Sequence, residues 1–366
     1  MQTLTDIYIY PIKSVKAISQ PAALVEEKGI RFDRRYMIID LDGNFITGRS
    51  HPQLTQVDVQ FSQKKLQLSA PNMPSLVVNP EQFSTKSLTS KIWADKVNAQ
   101  HCHQDYDNWF SEYLQQSCQL VFFAEDSLRC VKNRTTPIAF ADGYPLLLIN
   151  QASVDQLNSH LDTPVTALHF RPNIVIKGNL PFIEDTWSRI KIGDIEFEVS
   201  KPCSRCLFTN VDPQTGIAHV SEPFATLAKF RYHQGEVDFG QNLIPLNNGM
   251  IRAGDEIQVL ATHGAVLYGS QSDVLQDNKR SLKIHYQGSA ITVTGDNQQR
   301  LLDQAEQAGI AIPYSCRGGK CGRCKVKLIE GEVETLTHEA LTKDELNEGY
   351  ILACSCIPLS DITINH

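Results

Sequence analysis

Four cysteines between residues 316 and 354 have the spacing of an iron–sulfur ligand set. Three of them share one short loop, in which four residues separate Cys316 from Cys321 and two separate Cys321 from Cys324. The fourth, Cys354, follows after 29 further residues. Plant-type [2Fe–2S] centres use this ligand spacing. The four thiolates are therefore predicted to hold such a cluster.

The residues between these cysteines fit the prediction. Gly318, Gly319 and Gly322 allow the loop to fold tightly and to turn backbone N–H groups toward the sulfur atoms, whose negative charge they offset. A structural zinc site would more often show two C-x2-C pairs, and here Cys354 stands alone. Cys356, two residues past that ligand, is interpreted as a bystander or a buried free thiol.

A second cysteine pair, Cys203 and Cys206, has the spacing C-x2-C but allows several interpretations. A thioredoxin-like site would need a helix start, and half of a zinc site would need a second pair nearby. Two further interpretations are a thiolate that binds a soft metal, kept ionised by Lys201 and Arg205, and a pair of structural cysteines. Spacing alone leaves the choice open.

Several cationic and amide side chains occur at predicted strand ends and turns. Each by itself is interpreted as a solvated surface group. Together they would supply the donors that clamp a phosphorylated cofactor. This set is Lys13, Ser14, Arg34, Arg49, Arg171 and Asn173.

The elements that must position these residues read mainly as β-structure. Alternating residues predict a strand over 4–10, and turn residues predict hairpins at Asp42-Gly43, at Lys64-Lys65 and at Gly193-Asp194. The first hundred residues therefore indicate a small barrel or sandwich.

Two helices and a further strand-turn-strand pattern complete the predicted elements of this part. Asp107 is predicted to cap a helix whose aromatic stripe belongs to the core. Asn150 or Ser153 opens a second helix. Pro202 ends the strand that precedes the cysteine pair, and a strand-turn-strand pattern covers residues 250–260.

A polar stretch separates this part from the cysteine loop. Apolar periodicity fades over residues 264–282, which reads as a linker. Residues 283–366 then show a hairpin, a helix capped by Asp296 or Asn297 and ended by Gly309, and the cysteine loop. This order predicts an α+β ferredoxin-like, β-grasp domain.

Composition excludes several classes of function. The chain has 366 residues and a net charge of −7, with no long basic run, so a nucleic-acid partner is not expected. No signal peptide and no apolar run of about 18 residues is evident, so no membrane partner is expected. Ten cysteines in a chain of this length do not suggest a disulfide framework. We expect a soluble, cytoplasmic protein.

Three stretches of the sequence resemble the signatures of MOSC-domain proteins. They are Tyr10-Pro-Ile-Lys13-Ser14, His169-Phe-Arg171-Pro-Asn173-Ile-Val-Ile and Pro202-Cys203-Ser-Arg-Cys206-Leu-Phe-Thr-Asn-Val-Asp-Pro-Gln-Thr-Gly216. Within that group the chain most resembles the bacterial YcbX proteins and the mitochondrial amidoxime-reducing components. The resemblance implies an N-terminal MOSC β-barrel domain over residues 1–100, a MOSC domain over 101–263 and a [2Fe–2S] domain over 283–366.

The resemblance also implies a molybdenum cofactor and roles for particular residues. Cys206 matches the thiolate that binds molybdenum, with Cys203 as the alternative, and Asp142 matches an acidic residue close to the metal that assists proton delivery. An alternative reading makes Asp142 a turn residue before Gly143. The cofactor-holding positions are matched by Lys13, Ser14, Arg34, Arg171 and Asn173, with Arg49 at a further arginine position.

The implied activity is reduction of N-hydroxylated compounds, namely hydroxylaminopurines, amidoximes and hydroxylamines, to the amine or amidine and water. Electrons are expected to come through the [2Fe–2S] domain from a separate flavoprotein reductase that uses NAD(P)H, because no G-x-G-x-x-G follows a strand here. Two alternatives remain open: a MOSC module that carries sulfur or delivers cofactor, and a plain ferredoxin-type electron carrier.

Overall fold

The computed structural model describes residues 2–62, 65–264, 266–269, 280–315 and 317–366. The chain forms two compact units. The first comprises Met1–Leu227 and Glu236–Tyr268, and the second comprises Ala228–Gly235 and Gly269–His366. None of the helices in the described part of the chain has the length and hydrophobicity needed to span a bilayer.

Strands dominate the described residues, as the sequence predicts. In chain order they are β1 Thr3–Ile9, β2 Ile18–Gln20, β3 Ala22–Glu26, β4 Gly29–Ile30, β5 Tyr36–Asp40, β6 Asp58–Ser62, β7 Lys65–Ser69, β8 Leu76–Val78, β9 Ser87–Ile92, β10 Asp95–His101, β11 Cys118–Phe122, β12 Leu146–Asn150, β13 Ile174–Lys177, β14 Trp187–Ile192, β15 Ile195–Ser204, β16 Tyr232–His233, β17 Glu236–Pro245, β18 Gly249–Arg252, β19 Ile257–Thr262, β20 Ser281–Tyr286, β21 Ile291–Asp296, β22 Lys325–Glu330, β23 Val333–Thr335, β24 Tyr350–Leu352, β25 Cys356–Pro358 and β26 Ile362–Asn365. The α-helices are α1 Gln104–Leu114, α2 Gln151–Asn158, α3 Phe224–Ala228, α4 Leu301–Gln307 and α5 Lys343–Asn347.

The central sheet of the first unit has the spatial order β19, β14, β15, β17, β12, β13, β1 and β2. Its neighbouring strands are antiparallel except for β12 and β13, which are parallel. Apolar residues of these strands form one buried core, which includes Ile7, Leu148, Ile174, Trp187 and Phe197. Strands β1 and β2 thus share a sheet with strands that lie far along the chain.

The first unit also has smaller sheets, a second core and a further core against which Phe45 and Trp93 pack. The sheets have the orders β5-β11-β10-β9, β6-β7-β8 and β18-β3-β4. Helix α1 packs into the second core through Trp109, Phe110 and Leu114. The prediction that its aromatic stripe belongs to the core is confirmed.

The register of three strands brings distant loops to one edge of the central sheet. Ile7 pairs with Ile174 in antiparallel fashion, so the residues after β1 lie beside those before β13. Leu148 pairs with Ile174 in parallel, so the residues before β12 join them. Loops at one edge of a rigid sheet are a common location for functional residues.

The predicted helix cap at Asp107 is wrong. Helix α1 begins at Gln104, and His103 accepts a hydrogen bond from the backbone N–H of Asp105. Asp107 is buried inside the helix, where it accepts a 2.9 Å hydrogen bond from the backbone N–H of Leu120. A buried carboxylate needs such partners, and here they come from a neighbouring strand that sequence spacing does not reveal.

The predicted hairpins form with differences in detail. β14 and β15 pair around Gly193-Asp194, and β6 pairs with β7 around a turn whose Lys64 lies outside the described residues. At Asp42-Gly43 the chain turns, but the returning strand is reduced to one bridge between Ile39 and Phe45. β18 and β19 are strands, but they pair with β3 and β14 and not with each other.

Two further local predictions have mixed outcomes. Helix α2 starts after Asn150, whose side chain accepts from the N–H of Ala152, as expected. The strand before the cysteine pair does not end at Pro202: β15 continues to Ser204, with Pro202 paired to Gln241. Cys203 is therefore a strand residue, and Cys206 lies in the following turn.

The second unit has a five-stranded sheet with the order β21, β20, β26, β22 and β24, in which β20 and β26 are parallel. Helix α4 buries Leu301, Leu302 and Ala305 in the core of this unit. The helix cap predicted at Asp296 or Asn297 is wrong: Arg300 occupies the cap position, and Asp296 instead accepts from two N–H groups of the preceding turn. Of the predicted linker, residues 265 and 270–279 lie outside the described residues.

Candidate functional site

Lys13 and Asp142 form an ion pair at the shared edge of the central sheet. The Lys13 ammonium donates to a carboxylate oxygen of Asp142 at 2.7 Å and to the carbonyl of Phe140 at 3.0 Å. The Lys13 side chain is 6% exposed, whereas that of Asp142 is 70% exposed. The pair therefore has one end in the protein and one end open to solvent.

Arg34 and Arg171 share one aromatic ring. Each guanidinium carbon lies 4.2 Å from the centre of the Tyr10 ring, within cation–π range. Arg34 donates to the carbonyl of Arg171 at 3.1 Å, and Arg171 donates to the carbonyl of Val15 at 2.9 Å. These contacts hold together two positive charges that would otherwise repel each other.

Three of the predicted site residues adopt left-handed backbone conformations. The φ angles are +70° at Ser14, +47° at Arg34 and +55° at Arg171. Side-chain-bearing residues rarely adopt such angles, and strained residues of this kind cluster at functional sites. Ser14 is buried beside Lys13. The strain is consistent with loops shaped around a ligand.

Arg49 brings the N-terminal part of the chain to the cysteine pair. Its guanidinium lies 3.7 Å from the sulfur of Cys206. The neighbouring Cys203 has a different partner, because Arg205 donates to its sulfur at 2.9 Å and to the carbonyl of Phe170. Each sulfur thus lies beside a guanidinium group. We call Lys13, Arg34, Arg49 and Arg171 the basic edge.

Asn173 has a more internal position than the other predicted residues. Its amide donates to the carbonyl of Tyr8 at 3.1 Å and accepts from the N–H of Leu147 at 3.2 Å. The side chain is buried and connects β1 to β12. In this structure Asn173 holds the strands whose ends carry Lys13 and Asp142.

Arg129 is a site residue that sequence reasoning missed. Its guanidinium donates to the carbonyls of Ala139, Ala141 and Asp142, and its Nε donates to Asp95 at 2.8 Å. It is buried and is the main anchor of the loop that carries Asp142. Arg129 lies in no recognisable motif, and no sequence signal marked it.

The electrostatics of the ion pair follow from burial and neighbouring charge. Burial lowers the pKa of Lys13 to about 8, although the carboxylate of Asp142 opposes this. Desolvation raises the pKa of Asp142, but the charges of Lys13 and Arg49 outweigh it and hold that pKa well below its usual value. At neutral pH both groups are charged, and the proton resides on the Lys13 nitrogen.

Buried polar atoms without partners mark room for a bound group. Within the described residues, the hydroxyls of Tyr10 and Thr47 and the Nε of Arg205 are buried and make no hydrogen bond. Buried polar groups are nearly always satisfied in native proteins. Guanidinium, ammonium and hydroxyl donors suit a phosphate, and a thiol suits a soft metal. The donor set fits a phosphorylated metal cofactor.

The second unit brings together part of the predicted cluster ligands. The sulfur atoms of Cys324 and Cys354 lie 3.1 Å apart, too far for a disulfide, and both residues are buried. The backbone N–H of Gly319 donates to the Cys354 sulfur at 3.2 Å. Cys321 is partly exposed, and Cys316 lies outside the described residues. Residues 316–324 are called the cluster loop below.

Cys356 has its own environment. It is buried, and its sulfur lies 3.6 Å from the hydroxyl of Thr335. Burial raises its pKa, so the thiol is neutral at physiological pH. A neutral thiol that is hydrogen-bonded to a threonine is consistent with the interpretation of Cys356 as a bystander.

Family profiles match three segments of the chain. The profile described as the MOSC N-terminal beta barrel domain matches residues 1–117, and the MOSC domain profile matches residues 135–258. The profile described as the 2Fe-2S iron-sulfur cluster binding domain matches residues 284–359.

Two similar proteins are named as mitochondrial amidoxime-reducing components 1 and 2. The chain is 34% identical over 279 residues to mitochondrial amidoxime-reducing component 1 of Mus musculus, covering 70% of this chain and 82% of that protein. It is 33% identical over 242 residues to mitochondrial amidoxime reducing component 2 of Bos taurus, covering 63% and 72%. Among solved structures, pectocin M2 is 30% identical with a TM-score of 0.22, covering 24% of this chain and 32% of that one.

Proposed function

Because the chain belongs to the MOSC-domain family that includes the amidoxime-reducing components, we propose that it reduces N-hydroxylated compounds with electrons from its own [2Fe–2S] domain. The observation that carries this proposal is the arrangement of four side chains. Lys13 and Asp142 form an ion pair that holds a proton, and the guanidinium of Arg49 lies beside the sulfur of Cys206. The MOSC and [2Fe–2S] domains bind a molybdenum cofactor and an iron–sulfur cluster.

The proposed reaction is a two-electron cleavage of an N–O bond. A hydroxylamino group, R–NH–OH, takes up two electrons and two protons and gives R–NH2 and water. Hydroxylaminopurines, amidoximes and hydroxylamines are the proposed substrates. An electron donor and a proton donor must therefore meet at one site.

The donor set assigns residues to the parts of the cofactor. Arg34 and Arg171, with Ser14 nearby, are proposed to hold the pterin phosphate, and Asn173, which connects β1 to β12, is proposed to support this set from within. Cys206 is proposed as the thiolate ligand of the metal. When bound, the cofactor would supply two-electron redox chemistry at a metal centre next to these residues.

The chain's own groups account for proton supply. Asp142 is ionised at neutral pH, so it is not itself the acid. We infer that its exposed carboxylate orients a water or the hydroxyl of the substrate, while the adjacent Lys13 ammonium holds the proton that is delivered. Arg49 places a positive charge beside the sulfur of Cys206.

The electron route is the second part of the proposal. A [2Fe–2S] centre transfers one electron at a time, and plant-type potentials of roughly −400 mV make it a competent donor. A separate flavoprotein that uses NAD(P)H is proposed to refill the cluster. In this arrangement residues 1–100 and 101–263 bind and reduce the substrate, and residues 283–366 supply it with electrons.

A substitution at one cluster ligand tests this division of labour. In Cys324→Ser, turnover of an amidoxime with a physiological reductase is expected to fall by at least about 1,000-fold, because the cluster is not assembled. Turnover with a reduced viologen dye should stay near the level of the unchanged protein. Equal loss with both donors would contradict the proposed roles of the two units.

A further inference from the structure

Two aromatic side chains stand beside the basic edge without a role in the proposed chemistry. Phe45 and Trp93 are half-buried, and their ring centres lie 5.0 Å apart at an angle of 68°. Trp109 and Trp187, the other two tryptophans of the chain, are buried in the cores. We call Phe45 and Trp93 the aromatic wall.

Trp93 occupies a backbone position that disfavours a bulky side chain. It is the first residue of the two-residue turn between β9 and β10, with a φ angle of +54°. Two-residue hairpin turns favour glycine or asparagine where φ is positive. A bulky residue at such an angle is a genuine outlier, and outliers of this kind point to function.

The loop of Phe45 is fastened to the same hairpin. The carbonyl of Gly43 accepts a 2.7 Å hydrogen bond from the N–H of Lys91, and Asn44 forms a bridge with Lys91. A Cβ at Gly43 would lie 2.5 Å from the carbonyl oxygen of Thr89, so only glycine permits this approach. Phe45 and Trp93 are thereby held in fixed positions.

The neighbours of the wall are the groups proposed to act on the substrate. The guanidinium carbon of Arg49 lies 4.8 Å from the Trp93 ring centre and 5.9 Å from that of Phe45. The ammonium of Lys13 lies 5.6 Å from the Phe45 ring centre. Arg49 in turn contacts Cys206, and Lys13 contacts Asp142. Arg49 therefore connects the aromatic wall to Cys206, and Lys13 connects it to Asp142.

We propose that the aromatic wall is a substrate subsite that stacks on a flat ring attached to the N-hydroxylated group. This inference rests on the proposed function and adds a substrate preference to it. Aromatic and purine substrates are preferred over aliphatic ones. Stacking needs only a π-face, so purines and benzene rings are both accepted. The polar reacting group then points toward Arg49 and Asp142.

A packing role for the same residues makes a different prediction. If the wall only held Arg49 in place, loss of Trp93 would impair every substrate by the same factor. If it binds the ring of the substrate, the loss is confined to substrates that have a ring. Substrates with the same reacting group and different substituents separate the two cases.

The experiment compares benzamidoxime with acetamidoxime, using a reduced viologen dye as donor. Trp93→Gly suits the turn, and we expect it to lower kcat/KM for benzamidoxime about tenfold or more with little change for acetamidoxime. Trp93→Phe should restore most of the loss, and Phe45→Ala should resemble Trp93→Gly. Phe83→Ala, which removes a half-buried ring that contacts Tyr36 and Phe122, is the control and should affect neither substrate.

Binding without turnover gives a second readout. In the absence of a donor, benzamidoxime should quench the fluorescence of the unchanged protein, and the quenching should be lost in Trp93→Gly. An equal loss of kcat/KM for both amidoximes, or undiminished quenching in Trp93→Gly, would overturn the inference. If the unchanged protein reduced neither amidoxime, the proposed function would be wrong, whereas the quenching would still test the wall.

Discussion

The cluster loop of the second unit and the basic edge of the first are positioned by different kinds of contact. In the cluster loop, backbone geometry presents an N–H group to a cysteine sulfur, as Gly319 does toward Cys354. At the basic edge, charged side chains bind backbone carbonyls and one another, as Lys13 does with Phe140 and Asp142. A backbone-built site should therefore be sensitive to added side-chain volume, and a side-chain-built site to lost charge and to pH.

The largest expected effect tests the backbone side of this comparison. Gly319→Ala places a Cβ 2.4 Å from a methyl carbon of Thr337 and 2.5 Å from the hydroxyl of Ser355, at a φ angle of +69°. The left-handed conformation alone costs about 1 kcal/mol or more, and the clash adds to it. We expect the second unit to be destabilised by about 3 kcal/mol, with loss of bound iron.

The control for that variant isolates backbone strain from the clash. Gly309 has a φ angle of +73°, and a Cβ added there meets nothing within 4 Å. Gly309→Ala should cost only about 1 kcal/mol in a denaturant titration and should leave the iron content unchanged. Similar stability of the two variants would mean that close approach at Gly319 does not hold the loop.

The next largest expected effect tests the side-chain contacts at the basic edge. Arg129→Met removes the donors that bind the carbonyls of Ala139, Ala141 and Asp142. A misplacement of about 1 Å near the reacting groups can lower a rate about 100-fold, and we expect kcat/KM to fall between 10- and 100-fold. Iron content should not change.

A double-mutant cycle separates positioning from general damage. If Arg129 acts through Asp142, adding Arg129→Met to Asp142→Asn should lower the rate little further. Arg134→Met, which removes an exposed ion pair with Glu198, is the matched control and should leave kcat/KM unchanged. Full additivity of the two changes would show that Arg129 does not act through Asp142.

The smallest expected effect is a pH profile. Because burial lowers the pKa of Lys13 to about 8, its proton is lost as the pH rises through that value, and activity should fall about tenfold per pH unit above it. The unfolded chain keeps that proton to a higher pH, so stability from this group should increase between about pH 8 and pH 10.4. Activity and stability thus change in opposite directions.

A variant that keeps the positive charge tests whether Lys13 causes the fall in activity at alkaline pH. Lys13→Arg keeps a cation that stays charged across this pH range. We expect its activity to be lower throughout but to have no decline near pH 8. If activity still declined near pH 8 in Lys13→Arg, the decline would be due to the titration of another group.

The two sites also differed in how far the sequence predicted them. The cysteines of the cluster loop are close together along the chain, so spacing alone indicated their ligand set. The basic edge draws on residues 13, 34, 49 and 171, which lie far apart along the chain and come together through tertiary contacts that include the register of β1 and β13. Spacing does not encode that register, and the resemblance to MOSC proteins had to identify these residues.

Residues without a motif escaped prediction for a physical reason. Arg129 binds backbone carbonyls, and a carbonyl has no signature in the sequence. The sequence analysis did not single out Trp93, because its positive φ angle is visible only in the structure. Strands and apolar cores were predicted well because periodicity is local. The cap predicted at Asp107 failed because a residue of a neighbouring strand binds its carboxylate, and the cap predicted at Asp296 failed because its carboxylate binds N–H groups of the turn before the helix.

The central claim is that Cys206 is the metal-binding thiolate of the first unit. The most direct measurement is the molybdenum and pterin content of protein purified from a molybdenum-replete host, with Cys206→Ala and Cys203→Ala compared. We expect about one molybdenum per unchanged chain and per Cys203→Ala chain, and a loss of molybdenum or of N-reductive activity in Cys206→Ala. Absence of molybdenum from the unchanged protein, or full activity of Cys206→Ala, would contradict it.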